Sequence, residues 1–139
     1  MSPEDTKALG RQVVEAINSG NFATFDKIFA AGYVDRTAPP GVGTDLAGFK
    51  QTLTALRAAF PDLRYTIEDE IAAGDRLVHR LTGRGTQKGE FQGVPPTGKQ
   101  ATWAELHIGR VVEGKLVEHW GLGDQQAMMR QLELAPASR

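Results

Sequence analysis

The spacing of the apolar residues changes at Pro61, and this change limits the folds open to the chain. Before the proline, apolar residues recur at helical spacing, which predicts a helix over 44–60. After it, apolar and polar residues alternate, with Leu63, Tyr65 and Ile67 on one side of a predicted strand. Helices followed by strands with short turns between them predict an α+β fold, with helices covering one side of a mostly antiparallel sheet.

The N-terminal part carries its own helix signals. A cap at Ser2, followed by a proline, starts a first helix that Gly20 ends, and a shorter second helix completes a helical pair over 1–31. No linker or repeat interrupts the sequence, so we expect one domain over 1–139. The remaining predicted segments are a strand over 33–37, the main sheet over 62–124 and a short C-terminal helix over 124–134.

Charge and composition argue against several classes of function. The chain of 139 residues has 16 basic and 17 acidic residues and a formal net charge of -1, so we expect no nucleic-acid partner. It has no cysteine, which excludes disulfides, thiolate nucleophiles and cysteine-based metal sites. The acidic start lacks the features of a signal peptide, and no segment approaches the roughly 20 apolar residues of a membrane span. We therefore expect a cytoplasmic protein without a membrane partner.

The last two strands are predicted to form a hairpin that gathers most of the polar chemistry. The segments 101–112 and 115–124 flank Glu113-Gly114, which is typical of a two-residue turn. Counting away from this turn along both strands shows which residues lie opposite each other, and two residues that lie directly opposite share one face of a sheet. The count places His107 opposite Trp120, Glu105 opposite Leu122, and Trp103 opposite Asp124. We interpret this mixed aromatic and polar face as the wall of a small-molecule cavity.

Two of these residue types could move protons. A carboxylate beside tryptophans has its pKa raised by desolvation and can act as a base, while an imidazole can donate to a developing oxyanion. Simpler roles are open as well: Asp124 could cap the last helix, and His107 could be a structural hydrogen-bonding residue. A slip of one residue in the register would exchange the two faces.

Other kinds of site find less support in the sequence. The counted register puts His107 and His119 on opposite faces, and His79 lies far from both in the sequence, so we predict no metal site. The segment ending in Lys99 lacks the Ser or Thr that a phosphate-binding loop needs after its lysine, and no serine is placed to act as a nucleophile.

Several strings along the chain together resemble the SnoaL-like polyketide cyclase family. The likeness extends from the first helix to about Leu134. It implies a cone-shaped α+β barrel of the nuclear-transport-factor-2-like type, whose curved sheet encloses a pocket closed by the N-terminal helices. The strings that carry the resemblance are Phe60-Pro61-Asp62-Leu63, Gly85-Thr86, Gly89-Glu90-Phe91, Gly93, Pro95-Pro96-Thr97-Gly98-Lys99, Gly114-Lys115-Leu116-Val117-Glu118-His119-Trp120, Asp124 and Gln131-Leu132.

The resemblance also implies an activity, which is a cofactor-free intramolecular aldol ring closure of a carbonyl-bearing small molecule. By resemblance Asp124 matches the family's acid/base aspartate, and His107 its supporting histidine. We expect the substrate to contact Phe91, Trp103, Glu105, Trp120 and Leu122. Glu105 could be a second catalyst, a partner for an arginine or an orienting group for His107.

The sequence leaves other functions open. Arg36 stands where family members often have histidine, and it could bind an anion or form an outward salt bridge. The same fold hosts isomerases, epoxide hydrolases and non-catalytic binding modules, so fold alone does not choose the reaction. We also expect a homodimer or higher homo-oligomer, formed through the apolar hairpin face that carries Thr102, Leu106, Ile108 and Val117.

Overall fold

The computed structural model describes residues 1–132 as four helices and five strands around one core. The helices are α1 (Pro3–Ser19), α2 (Phe25–Ile28), α3 (Leu46–Ala59) and α4 (Gln125–Gln131), with a single 3₁₀ turn at Phe22–Thr24. The strands are β1 (Phe29–Asp35), β2 (Arg64–Ala73), β3 (Arg76–Thr86), β4 (Gln100–Val112) and β5 (Lys115–Gly123). Residues 133–134 of the predicted C-terminal helix lie outside the described residues.

The five strands form one open, curved, mixed sheet in the order β1-β5-β4-β3-β2. The pair β1–β5 is parallel, and the other three pairs are antiparallel. Helix α1 packs against β2 and β3, α3 against β1, and α4 against β4. The predicted α+β class is confirmed, with a sheet that curves without closing into a complete barrel.

Local signals explain where the longer helices begin and end. The Ser2 hydroxyl accepts a hydrogen bond from the Asp5 amide at 3.1 Å, and the Asp5 carboxylate accepts one from the Ser2 amide, which is a capping box. Gly20 ends α1 in the left-handed region, with φ of 75°. Asp45 caps α3 by accepting from the Gly48 amide at 2.9 Å. Phe60 follows α3 and is fully buried.

The first strand begins earlier than the sequence predicted. We expected helix up to residue 31 and strand from residue 33, but the strand β1 starts at Phe29. Phe29 is 5% exposed and pairs with Leu116 of β5, so partnership with a distant strand overrides the poor strand preference of Ala30 and Ala31. In the strand order, β1 is an edge strand of the sheet and lies beside β5.

The register predicted for the hairpin is wrong beyond its first two pairs. Lys115 and Leu116 pair as counted from the turn, but a bulge then leaves Val117 without a partner and pairs Glu118 with Arg110. Every later residue of β5 is shifted by one position. The pairs that result are His107 with Gly121, Ile108 with Trp120, Leu106 with Leu122, Glu105 with Gly123, and Gly109 with His119.

The shift exchanges the faces of β5. Trp120 and Leu122 therefore share the outer face with Ile108 and Leu106, while His119 turns to the inner face that carries His107. None of the helices in residues 1–132 is long and apolar enough to cross a membrane.

Candidate active site

A cavity of about 460 Å³ lies on the inner face of the sheet. Strands β4 and β5 form its floor, helix α3 lies across it, and the loop after β3 and helix α4 contribute to its walls. Its apolar lining includes Phe49, Leu53, Leu56, Phe91, Trp103 and Met128. A cavity of this size with aromatic walls fits a small organic molecule.

Glu105 is the polar centre of the cavity floor. One carboxylate oxygen, Oε2, accepts hydrogen bonds from Trp103 Nε1 at 2.6 Å and from Tyr65 Oη at 2.7 Å. The other oxygen, Oε1, lies 2.7 Å from His107 Nε2. Burial by itself raises the pKa of Glu105, but the contacts with His107, Tyr65 and Trp103 outweigh burial and hold that pKa below its usual value. Glu105 is therefore an ionised carboxylate with both oxygens engaged.

A glycine on the neighbouring strand makes room for the two aromatic donors. Gly83 lies between Tyr65 and Trp103 in the sheet register. A Cβ atom on Gly83 would come within 2.7 Å of the Trp103 ring and 2.8 Å of the Tyr65 ring. Its missing side chain lets both rings converge above Glu105. Burial raises the pKa of Tyr65 well above its usual value, so its hydroxyl remains a donor.

A chain of short contacts continues from His107 across the sheet. His107 Nδ1 lies 2.8 Å from His119 Nε2, and the two rings are nearly parallel at 17°. His119 Nδ1 lies 3.1 Å from Asp35 Oδ1, which also accepts from the amide and hydroxyl of Thr37. Burial raises the pKa of Asp35, but its contacts with His119 and Thr37 outweigh burial and hold the pKa below its usual value. Both ends of the chain are therefore ionised carboxylates.

The members of this chain differ in their access to the cavity. The His107 side chain is 27% exposed, whereas those of Glu105, His119 and Asp35 are 14%, 16% and 7% exposed. All four residues line the cavity. A bound molecule therefore meets the chain of contacts most readily at the His107 ring.

The family follows from comparison with known proteins. The model of the family described as SnoaL-like polyketide cyclase matches residues 7–132. The chain belongs to the SnoaL-like polyketide cyclase family.

Individual relatives agree with this family assignment. The chain is 29% identical over 122 residues to the nogalonic acid methyl ester cyclase of Streptomyces nogalater, covering 86% of this chain and 91% of that protein. It is 28% identical over 131 residues to the aklanonic acid methyl ester cyclase DnrD of Streptomyces peucetius, covering 89% and 88%. The solved structure of IdmH from Streptomyces antibioticus matches with a TM-score of 0.81 and 36% identity, covering 96% and 99%. The resemblance seen in the sequence is confirmed, and the relatives support an enzymatic function.

Asp124, which by resemblance matches the acid/base residue of these cyclases, serves as a helix cap in this structure. It is exposed, and its Oδ1 accepts a hydrogen bond from the Ala127 amide at 3.0 Å at the start of α4. It is not among the described residues that line the cavity. This is the capping role that the sequence left open, while its catalytic role stays a prediction.

Some of the predicted aromatic and aliphatic site residues line the cavity, and the bulge in β5 moves others away from it. Phe91 and Trp103 line the cavity and are 8% and 3% exposed. Trp120 instead lies on the outer face, where the Arg76 guanidinium is 5.4 Å from its ring centroid. Leu122 is 76% exposed and contributes only to the edge of the cavity.

Arg36 forms an outward salt bridge. Its Nε donates to Glu118 Oε2 at 2.8 Å, and its guanidinium is about half exposed. Of the two roles that the sequence left open for Arg36, the structure shows the salt bridge.

Sequence reasoning missed the residue that holds the loop at the cavity entrance. Gln87 is fully buried, and its amide nitrogen donates to the carbonyls of Gly89, Val94 and Pro95. Its amide oxygen accepts from the Thr97 amide and hydroxyl at 3.1 and 2.8 Å. These contacts fix the loop whose residues 90–92 line the cavity. The proline-rich string marks the loop, but nothing local shows that Gln87 turns into it.

A second, smaller cavity of about 80 Å³ lies behind the two histidine rings. His107 and His119 line both cavities, so their rings separate the two spaces. Within residues 1–132, Tyr33 Oη and His79 Nε2 are buried here without a hydrogen bond, although Glu70 Oε2 lies 3.4 Å from His79 Nε2. Burial lowers the pKa of His79 against the opposing effect of Glu70, and His79 is therefore a neutral neighbour of His107.

The histidines are closer together than the sequence suggested. The prediction that His107 and His119 point to opposite faces is wrong, because the bulge turns His119 inward. In the described part of the chain, no group of three or more His, Cys, Asp or Glu side chains is arranged to hold a metal ion.

Proposed function

We propose that this chain catalyses an intramolecular aldol-type ring closure of a carbonyl-bearing, polyketide-like ester in the larger cavity, and that it needs no cofactor. The observation that carries the proposal is the 2.7 Å contact between the Glu105 carboxylate and the His107 ring, the most exposed of the four polar groups. The names of the curated relatives, which are methyl ester cyclases, support the substrate class.

The proposed chemistry needs only proton transfer. The ring closure removes a proton from the carbon beside one carbonyl, joins that carbon to the carbon of a second carbonyl, and adds a proton to the oxygen of that second carbonyl. His107 exchanges both protons with the substrate, and the ionised Glu105 stabilises the ring when it is cationic. The protonation of the protein is the same before and after the reaction.

The first experiment compares three conservative variants. We expect Glu105→Gln and His107→Asn to lower kcat by about 100-fold or more, because each removes a member of the proton-transferring pair. Asp124→Asn keeps a side-chain oxygen that can cap α4, so a capping role alone predicts little change in its kcat, whereas the acid/base role implied by the resemblance predicts loss of turnover. Nogalonic and aklanonic acid methyl esters serve as test substrates, and circular dichroism checks folding.

The outcome decides between the two carboxylates. Loss of turnover in Asp124→Asn with near-normal turnover in His107→Asn would overturn the proposal and establish the role of Asp124 implied by the resemblance. Turnover that disappears after dialysis against a chelator and returns with a metal ion would overturn the proposed independence from cofactors.

Two further expectations stay predictions. Pairing of two copies through the outer face draws support from exposed apolar side chains there, since Leu106 is 56% and Ile108 41% exposed. Light scattering of the wild type and of Leu106→Glu tests this pairing, which predicts a smaller particle for the variant. The cytoplasmic location also stays a prediction from the sequence.

A further inference from the structure

We infer that Glu105, His107, His119 and Asp35 form a proton relay that is complete only when it holds three protons, which makes His119 and Asp35 positioning residues for His107. Its consequence for catalysis rests on the proposed function. The relay itself rests on three contacts of 2.7, 2.8 and 3.1 Å that join the four side chains end to end.

The number of protons follows from the contacts. Each contact joins two atoms that carry lone pairs, so each needs one hydrogen between them to be attractive. Two neutral imidazoles supply two hydrogens, and two carboxylates supply none. With two protons, one contact would bring bare lone pairs together; with four, one would bring two hydrogens together. Only three protons satisfy all three contacts.

The charges around the relay favour the third proton. With carboxylates at both ends and one extra proton on the imidazole pair, the four groups carry a net charge of -1. The neighbouring β3 strand presents His79 opposite His107, and beyond His79 lies Glu70, 3.4 Å from it and paired with Arg11. Glu90 of the loop after β3 also lines the cavity. From the other sides the relay meets the hydroxyl donors Tyr65 and Thr37 and the Phe49 ring.

The backbone leaves space for the two rings to meet. Gly121 lies opposite His107 in the register, and a Cβ atom there would come within 2.5 Å of His107 Nδ1 and 3.0 Å of His119 Cε1. Any side chain at this position would press on His107 Nδ1, one of the two atoms that form the central contact, and on the His119 ring. The contact between His107 and His119 therefore depends on the glycine.

The three-proton state determines how the site starts its reaction. The resting relay is an acid, so its first act is to donate a proton through His107 to the oxygen of the second carbonyl, whose carbon accepts the new bond. It is then one proton short, and it returns to three protons by taking the proton that leaves the substrate carbon. His119 and Asp35 hold the proton in reserve without contacting the reacting atoms.

Nuclear magnetic resonance of the ring nitrogens tests the relay without substrate. The chain has three histidines, so labelling with ¹⁵N-histidine gives six ring nitrogens, and His119→Asn and His79→Asn together assign them to residues. We expect His107 and His119 together to carry three ring protons in the pH range where the enzyme is active. Two ring protons throughout that range would overturn the relay.

A matched pair of variants tests its role in turnover. Asp35→Asn removes one terminal charge, so the third proton is held less tightly and the alkaline limb of the pH profile of kcat moves to lower pH by about one unit or more. Asp69→Asn removes an exposed carboxylate paired with Arg80 on the outer face and should leave the profile unchanged. A profile that is the same for Asp35→Asn as for wild type would overturn the inference.

The two proposals fail in different ways. Three ring protons in a protein that does not cyclise the test esters would overturn the proposed function and leave the relay standing. Two ring protons in a protein with full turnover would overturn the relay alone. If Asp35→Asn does not fold, the wild-type spectrum still decides the question.

Discussion

Glu105 and Glu118 lie on adjacent strands of the same hairpin but face opposite sides of the sheet. Each accepts short hydrogen bonds at both carboxylate oxygens, and each has a pKa below its usual value. The donors to Glu105 include Trp103 and Tyr65, which are 3% and 5% exposed. The pKa of Glu118 is lowered by hydrogen bonds from Arg110 and Arg36, whose side chains are 32% and 51% exposed.

The two carboxylates differ in whether their hydrogen-bond donors can bond to water when the carboxylate is removed. Arginines on the outer face can turn to water when Glu118 is absent, which is why exposed ion pairs contribute little to stability. The indole and phenol at Glu105 have little access to water and would lose their acceptor. The hydrogen bonds to Glu105 should therefore contribute more to the free energy of unfolding than those to Glu118.

The largest effect should come from removing each carboxylate in turn. We expect Glu105→Ala to lower the free energy of unfolding by about 2 to 3 kcal/mol, because it leaves the donors of Trp103 and Tyr65 without an acceptor. Glu118→Ala should cause a much smaller loss. Urea titration of both variants measures the difference, and equal losses would show that the exposure of the donors does not distinguish the two sites.

The next effect concerns space on the inner face. Gly121→Ala should cost about 1 to 3 kcal/mol of stability, because its Cβ atom presses on the His107 ring. Gly32→Ala is the control, since a Cβ atom there meets nothing within 4 Å. We also expect slower cyclisation in Gly121→Ala alone. Thermal melts and turnover check both results, and equal behaviour of the two variants would contradict the tight contact.

The ionised carboxylates on the inner face should make the free energy of unfolding fall as the pH becomes acidic. Glu105 and Asp35 have lowered pKa values in the folded state, so their stabilisation is present above the unfolded values of about 4.3 and 3.9 and is lost as pH falls through the folded values. Urea midpoints between pH 7 and 3 should fall less steeply for Glu105→Gln than for wild type. His79, whose pKa burial lowers, adds a loss that begins near pH 6.5 and is common to both proteins. Parallel curves would argue against an ionised Glu105.

The smallest effect belongs to the outer face. Arg76 lies over the Trp120 ring, and an exposed contact of this kind contributes about 0.5 kcal/mol. Arg76→Gln should therefore change the urea midpoint only slightly. A loss as large as that of Glu105→Ala would mean that the outer face is covered in solution.

Local signals predicted much of the fold correctly. The cap at Ser2, the glycine that ends α1 and the cap at Asp45 act within a few residues, so the sequence shows them directly. The turn at 113–114 is equally local, and both of its residues have positive φ, as such turns require. The early start of β1 was missed because it depends on Leu116, which is far along the chain.

The bulge at Val117 limited the prediction of the site. One extra residue in β5 exchanged its faces, so Trp120 and Leu122 pair on the outer face and His119 joins the cavity. The structure offers a packing reason for a shift here: Gly109 faces the Leu116 side chain so closely that a Cβ atom would lie within 2.8 Å of it. A close fit of this kind between two strands leaves no pattern along either one.

What the sequence determined by itself is the part of the site that lies on one strand. Trp103, Glu105 and His107 are two residues apart on β4, and alternation along a strand puts them on one face whatever the partner strands do. Only the tertiary structure decided that His119 and Asp35 complete the relay. Their positions depend on a bulge in β5 and on parallel pairing between strands at opposite ends of the chain, and side-chain alternation within a strand does not encode either.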